Sequence, residues 1–126
     1  MSPRLPDLLV GLAQCLLAPP PPEVGPDYMA ARQGLVATLL LLAAQEAERG
    51  PAARRWENAA IAELLAQAPA EPDAASWSEL DAHNAALRSA LIALHEAAEA
   101  RADRPLQARI LDLYVAMAEA RRLDLG

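Results

Sequence analysis

Proline residues divide an alanine-rich chain into separate segments, and this division restricts the fold more than any other feature. The 126 residues include 11 Pro and 31 Ala. Proline lacks a backbone N–H and its ring clashes with the preceding helical turn, so it marks the ends and starts of helices. Alanine and leucine, which supply most of the apolar content, are strong helix formers. No segment alternates apolar and polar residues with a period of two. The sequence therefore predicts an all-α protein.

The positions of the prolines and of apolar residues that recur every three or four positions predict five helices. These cover about 6–17, 27–49, 51–68, 77–101 and 105–123, with Asp27 as the N-cap of the second. Gly50 and Pro51 are stop and start signals between the second and third helices, which predicts a tight helical hairpin. We expect one domain, residues 1–126, built as an antiparallel four-helix bundle with the shorter first helix in front.

The fourth helix has the clearest pattern. Ser76, followed three residues later by Glu79, predicts a capping box at its start. Its apolar seam then steps alternately by four and three residues, as bundle packing requires, through Leu80, Asn84, Leu87, Leu91, Leu94 and Ala98. Asn84 is polar on this seam, and a buried amide without partners costs about 1–3 kcal/mol. We expect Asn84 either to fix the helix register or an interface, or to give a small cavity a polar group.

The inner sides of the neighbouring helices follow from the same periodicity. We expect Trp56, with Ile61 and Leu65 or with Ala60, Leu64 and Ala68, to face the core from the third helix. In the fifth helix the inward residues are Leu106, Ile110, Leu113, Met117 and Ala120. A core built largely from small Ala side chains favours close approach of helices over a roomy cavity.

Composition argues against two classes of partner. The net charge is −6 with a pI near 4.8, and all 11 basic residues are Arg and are scattered, so the sequence lacks the basic surface that nucleic-acid binding needs. The longest strongly apolar run, residues 34–44, is too short to span a membrane. With its Ala and Pro content, the absence of Lys is typical of a GC-rich bacterial genome. We expect a cytoplasmic protein with neither nucleic acid nor membrane as partner.

The first apolar segment contains Leu12-Ala13-Gln14-Cys15, which is similar to a lipoprotein cleavage box. Gln14 stands where such a box has a small residue, and Asp7 opens the apolar stretch. Signal peptides also begin with positive charge, of which only Arg4 is present. The segment is therefore interpreted as a helix without a targeting role, in which Cys15 is a small buried hydrophobe.

Residues with catalytic chemistry do not form a recognisable set. A di-iron bundle needs Glu-x-x-His on two helices, but Leu80 and Ile92 stand three residues before His83 and His95. The two histidines are also about 18 Å apart along one helix, so they cannot share a metal ion. The five glycines are dispersed and form no phosphate-binding loop. We expect no catalytic residue, no metal site and no cofactor, and hence a protein that is not an enzyme.

The stretch Arg32-Gln-Gly-Leu-Val-Ala-Thr-Leu-Leu-Leu-Leu-Ala-Ala-Gln-Glu-Ala-Glu-Arg-Gly-Pro-Ala52, with Glu57 and Leu64-Leu65 beyond it, resembles a family of small bacterial helical proteins of unknown function. The most specific element is the Glu-x-Glu-x-Gly-Pro-Ala turn of residues 46–52. The likeness covers about residues 5–68, and residues 84–92 resemble the family more loosely. Members are encoded beside aminoglycoside-phosphotransferase-like proteins and acyl-CoA dehydrogenases. The resemblance implies an accessory or partner-binding protein, with no catalytic residue to carry over.

Two functional hypotheses follow. The second helix is apolar on nearly every side from Leu35 to Ala44, and such a helix must be buried all round, which a second chain would achieve. This favours a non-catalytic accessory or protein-interaction module, most simply a homodimer, with a partner protein from its own operon as a further possibility. The alternative is a small apolar-ligand or acyl-chain binding protein. Its slot would be lined by Leu39, Leu42, Asn84, Leu91 and Tyr114.

Overall fold

The computed structural model describes residues 4–67 and 76–125. These residues form four helices, α1 (Leu5–Leu17), α2 (Pro26–Leu64), α3 (Trp77–Ala100) and α4 (Arg104–Ala120), and contain no strand. The all-α prediction is confirmed. The antiparallel four-helix bundle with a fifth helix is not confirmed.

Helix α2 differs most from the prediction. It runs without interruption from Pro26 to Leu64 and holds Pro51 in its interior, so the predicted hairpin at Gly50-Pro51 is wrong. Proline removes one backbone hydrogen bond to the residue four positions earlier, here Ala47, but it does not itself reverse the chain. The flanking segments are rich in Ala, Glu and Arg, which propagate a helix on both sides of that local defect.

The helix ends agree better with the sequence. At the start of α3, Glu79 N–H donates to Ser76 Oγ at 3.2 Å and Ser76 N–H donates to Glu79 Oε2 at 2.8 Å, which confirms the capping box. Asp103 caps α4 by accepting from Leu106 N–H at 3.2 Å. Asp27, predicted as an N-cap, instead lies in the first turn of α2, because Pro26 already occupies a helical position.

Helices α2 and α3 end with the same backbone arrangement. Gln67 N–H donates to the carbonyl of Ala62 and Asp103 N–H donates to the carbonyl of Ala98, each spanning five residues. The residue before each of these donors, Ala66 or Ala102, has a positive φ of 54° or 55°. This is the Schellman arrangement, in which glycine usually occupies the left-handed position. The predicted end of the third helix at Ala68 lies outside the described residues.

Internal contacts divide the chain into two compact units. The first unit is Met1–Glu48 with Leu123–Gly126, and the second unit is Arg49–Arg122. The predicted single domain stays a prediction. In the first unit, Gln45 and Asp124 exchange two hydrogen bonds of 2.8 Å, which connect the chain end to α2. Arg32 of α2 donates to the carbonyl of Cys15 in α1.

The second unit contains the hydrophobic core. Its buried members come from α2, α3 and α4 and are Ile61, Leu87, Leu91, Ala98, Ile110 and Met117. The α3 seam is confirmed, because five of its six positions are buried and Leu94 is half-buried against the core. In α4, Ile110 and Met117 are buried as predicted, whereas Ala120 is exposed near the helix end. Helices α3 and α4 pack against each other.

The first unit buries much less apolar surface than the sequence predicts. Val36 and Ala43 of α2 are buried, but Leu35, Leu40 and Leu41 are exposed within one chain, and their burial by a second chain stays a prediction. In α1, Leu12 is buried and Cys15 is exposed rather than buried. The unit contributes only α1 and the first part of α2, and two helices cannot cover both sides of an apolar helix.

Candidate functional site

A group of buried polar residues lies at one end of the hydrophobic core of the second unit. We call it the Glu57 cluster, and it consists of Glu57 and Asn58 of α2, Asn84 and Arg88 of α3, and Arg121 at the end of α4. Glu57 is fully buried, with 0% of its surface exposed, and Asn58 and Asn84 are nearly so. Charged residues are almost never buried to this extent unless they are paired. Three helices thus meet at one carboxylate.

Both oxygens of the Glu57 carboxylate accept hydrogen bonds. Oε1 accepts from Arg88 Nε at 2.5 Å, from Asn84 Nδ2 at 2.9 Å and from Arg121 Nη2 at 3.1 Å. Oε2 accepts from Arg121 Nε at 2.7 Å, so Arg121 binds the carboxylate through two nitrogens. Bidentate arginine–carboxylate pairs are among the stronger side-chain interactions in proteins.

Asn84 connects the remaining members of the cluster. Its Nδ2 also donates to Asn58 Oδ1 at 2.8 Å, and its Oδ1 accepts from Arg121 Nη2 at 2.7 Å. The buried position of Asn84 on the α3 seam is therefore as predicted, and its amide has partners for both of its polar atoms. Among the described residues, every buried side-chain nitrogen or oxygen has a hydrogen-bond partner.

The environment of Glu57 determines its ionisation. Burial raises the pKa of Glu57, but hydrogen bonds from Arg88, Arg121 and Asn84, together with the charge of Arg121, outweigh burial and lower the pKa below its ordinary value of 4.5. The carboxylate is therefore ionised at neutral pH. One carboxylate and two guanidinium groups leave the cluster with one surplus positive charge.

That surplus charge lies beside a recess of about 270 Å³. Arg88 and Arg121 form its polar side, and the rest of its wall is Leu91, Ile92, Tyr114, Met117 and Ala118. The Tyr114 hydroxyl lies 3.3 Å from His95 Nδ1, which orients its ring. The arrangement combines two cationic groups with an apolar wall.

A second polar contact joins α2 to α3 in the same unit. Arg54 Nε donates to Asp81 Oδ1 at 2.5 Å, and the Arg54 guanidinium lies 4.7 Å from the centroid of the Trp77 ring. A guanidinium at this distance over an aromatic face is attracted to the negative charge of the ring face. Arg54 is consequently buried and is part of the packing between the helices.

The structure brings some of the predicted ligand contacts together. Leu91 and Tyr114 line the recess, and Asn84 binds Arg121, which also lines it. Leu39 and Leu42 are half-buried residues of α2 in the first unit and do not line this recess. Two of the five predicted contacts thus line the recess and Asn84 contacts one of its lining residues, while their role in ligand binding stays a prediction.

Glu57, Asn58, Arg88 and Arg121 were not predicted as site residues. The sequence interpretation placed Trp56 on the inner face, but Trp56 is 44% exposed and that expectation is wrong. Extending the apolar positions Ile61 and Leu65 toward the N-terminus by steps of three and four leads to Glu57 and Asn58, not to Trp56. That continuation of the periodicity into polar residues is the signal that could have identified the cluster.

Other kinds of site find no support in the part of the chain that the structure describes. No group of three or more His, Cys, Asp or Glu residues there could hold a metal ion. No helix within the described ranges combines the length and apolar character needed to cross a membrane. Comparisons with protein-family models, curated proteins and solved structures found no match.

Proposed function

We propose that this chain is a non-catalytic protein-interaction module that forms a homodimer through the apolar surface of its first unit. The observation that carries the proposal is the exposure of large apolar side chains on α1 and the first part of α2. They are Leu9, Val10, Leu16, Leu17, Tyr28, Leu35, Leu40 and Leu41. Exposed apolar surface of this extent on a small protein is a mark of an interaction site.

The charge distribution favours a second copy as the partner. Residues 8–22 and 33–45 contain no charged residue, although the chain as a whole has a net charge of −6. Apolar segments without charge offer no opposite charge to select a different partner, and they allow two chains of like charge to approach. Homodimers with twofold symmetry use one self-complementary patch, which such a surface can supply.

In the proposed dimer, a four-helix bundle would form between two chains and not within one chain. The first unit supplies α1 and the first part of α2, so two copies bring four helical segments together. An antiparallel four-helix bundle formed between chains would bury Leu35 and Leu41, which one chain leaves exposed. The bacterial origin, the cytoplasmic location and the family resemblance stay predictions that agree with an accessory protein.

The test is the molar mass of the untagged protein by light scattering across a range of micromolar concentrations. We expect twice the chain mass of 13.4 kDa. Leu41→Glu places a charge at a position that is 67% exposed in one chain, so the variant should fold and be monomeric. Val115→Glu is the matched control, because Val115 is 66% exposed on α4 in the second unit and should leave the dimer intact.

A monomeric wild-type chain at these concentrations contradicts the proposal. The same holds if Leu41→Glu and Val115→Glu weaken the dimer equally, because the apolar surface of the first unit would then have no special role. A stable complex with a different purified protein, formed by a monomeric chain, would replace the homodimer with a heteromeric interaction module.

A further inference from the structure

We propose that the recess beside the Glu57 cluster binds a small carboxylate that carries a short apolar tail. The site lies entirely within the second unit, so the inference does not depend on the proposed dimer. The charge, the hydrogen-bond donors and the size of the site favour one class of ligand, an aliphatic monocarboxylate.

Arg88 and Arg121 bring two positive charges to the recess. Glu57 neutralises one of them, and the second positive charge is left at the recess. Within the described residues the structure gives Arg88 one hydrogen bond, from Nε to Glu57, and its side chain is 42% exposed. Among the described residues, its Nη1 and Nη2 groups therefore have no acceptor. Guanidinium groups match the two oxygens of a carboxylate, so Arg88 is suited to hold one.

The size and lining of the recess limit the rest of the ligand. A volume of about 270 Å³ lies at the small end of ligand pockets. Leu91, Ile92 and Met117 would contact methylene groups and offer nothing to further polar atoms. A nucleotide or a phosphate ester brings two or more negative charges to a site with one surplus positive charge. A monocarboxylate with a short chain satisfies both parts of the wall.

The experiment titrates the protein with butyrate, hexanoate and octanoate while the methionine methyl groups are observed by NMR. The chain has three methionines, and Met117 lines the recess whereas Met29 lies in the first unit. We expect the Met117 signal to shift and the Met29 signal to stay. Each added methylene should tighten the Kd by about fourfold until the recess is filled. Hexanol and hexylammonium, which share the tail but lack the carboxylate, should bind at least tenfold more weakly.

Two variants test the two halves of the site. Arg88→Gln removes the cation while Arg121 and Asn84 still pair with Glu57, and it should weaken hexanoate binding by about tenfold or more. Ala118→Trp leaves the Glu57 cluster unaltered and fills the recess, and it should abolish the Met117 shift. Arg104→Gln, at the exposed first residue of α4, is the matched control and should bind as wild type does.

Several results would overturn the inference. One is hexanoate binding no tighter than hexanol; another is equal shifts of Met29 and Met117. Binding that survives both Arg88→Gln and Ala118→Trp would place the ligand elsewhere. Helical content and the urea midpoint of each variant are measured alongside, so that lost binding is interpreted only for variants that remain folded.

Discussion

At the scale of single residues, Glu57 is the position where charge, burial and packing meet. Its pKa is lowered because hydrogen bonds from three side chains outweigh the burial that raises it. A group whose pKa is lower in the folded than in the unfolded chain stabilises the fold above its unfolded pKa of about 4.5. That stabilisation is lost progressively as the pH falls from about 5 through the folded pKa.

We therefore expect Glu57→Gln to destabilise the fold by about 2 kcal/mol at neutral pH, because it removes the partner of two arginines. This destabilisation is smaller than the loss expected on breaking a fully buried ion pair, because Arg88 is partly exposed and its charge can be hydrated. As the pH falls below the unfolded pKa of about 4.5, the difference from wild type should shrink, since proton binding then favours the unfolded wild-type chain.

Urea unfolding followed by circular dichroism from pH 3 to pH 7 measures this effect. Glu63→Gln, at an exposed glutamate of the same helix, should follow the wild-type pH dependence. Parallel curves for wild type and Glu57→Gln over that range would mean that Glu57 contributes no pH-linked stability.

For single residues, the sequence predicted the burial of Asn84 but not the identity of its partners. Asn84 was predicted as a buried polar residue because it interrupts an otherwise apolar seam on one helix. Its partners Glu57 and Arg121 are 27 and 37 residues away in sequence. Periodicity describes one helix at a time, so it gives the face of a residue but not the side chains that other helices bring to it.

At the scale of secondary-structure elements, local signals predicted most helix ends and failed inside α2. The capping box at Ser76 and the turn before Pro105 depend on contacts among residues three or four positions apart, which the sequence contains in full. Gly50-Pro51 carries the same kind of signal, yet α2 continues through it. A proline costs a helix about 3 kcal/mol, and the helix-forming residues on both sides together compensate for that cost.

Ala102 gives a prediction at this scale. It has φ of 55° at the end of α3, a conformation that costs a residue with a Cβ about 1–2 kcal/mol and costs glycine little. Ala102→Gly should therefore stabilise the protein by about 0.5–1 kcal/mol, which is less than the strain relieved because glycine also gains entropy in the unfolded chain. Ala93→Gly, at an exposed position in the middle of α3, should instead destabilise by about 1 kcal/mol.

Urea midpoints of the two variants, measured beside wild type, show whether each substitution stabilises or destabilises the protein. If Ala102→Gly destabilises as much as Ala93→Gly does, Ala102 does not adopt the left-handed conformation in solution and α3 ends differently.

At the scale of the whole molecule, the two units differ in how much core they contain. The sequence predicted one bundle because apolar stripes occur on all of its predicted helices. The structure instead assigns the hydrophobic core and the Glu57 cluster to the second unit, and leaves the first with three buried apolar residues among those described, Leu12, Val36 and Ala43. Contacts between segments that are distant in sequence determine which apolar stripes share a core. A stripe that packs against a second chain also has the same sequence pattern as a stripe that packs within its own chain.

This asymmetry predicts that a fragment of residues 49–122 folds alone. The fragment keeps the core and every member of the Glu57 cluster, and domains of about 60 residues can fold independently. It lacks α1 and the first part of α2, so it should unfold cooperatively in urea yet remain monomeric at the concentrations at which we expect the full chain to form the proposed dimer. Circular dichroism and light scattering on the same samples measure both properties. A fragment without helical structure would show that the second unit needs the first for its stability, whereas a folded fragment that still dimerises would move the interaction surface away from α1 and the first part of α2.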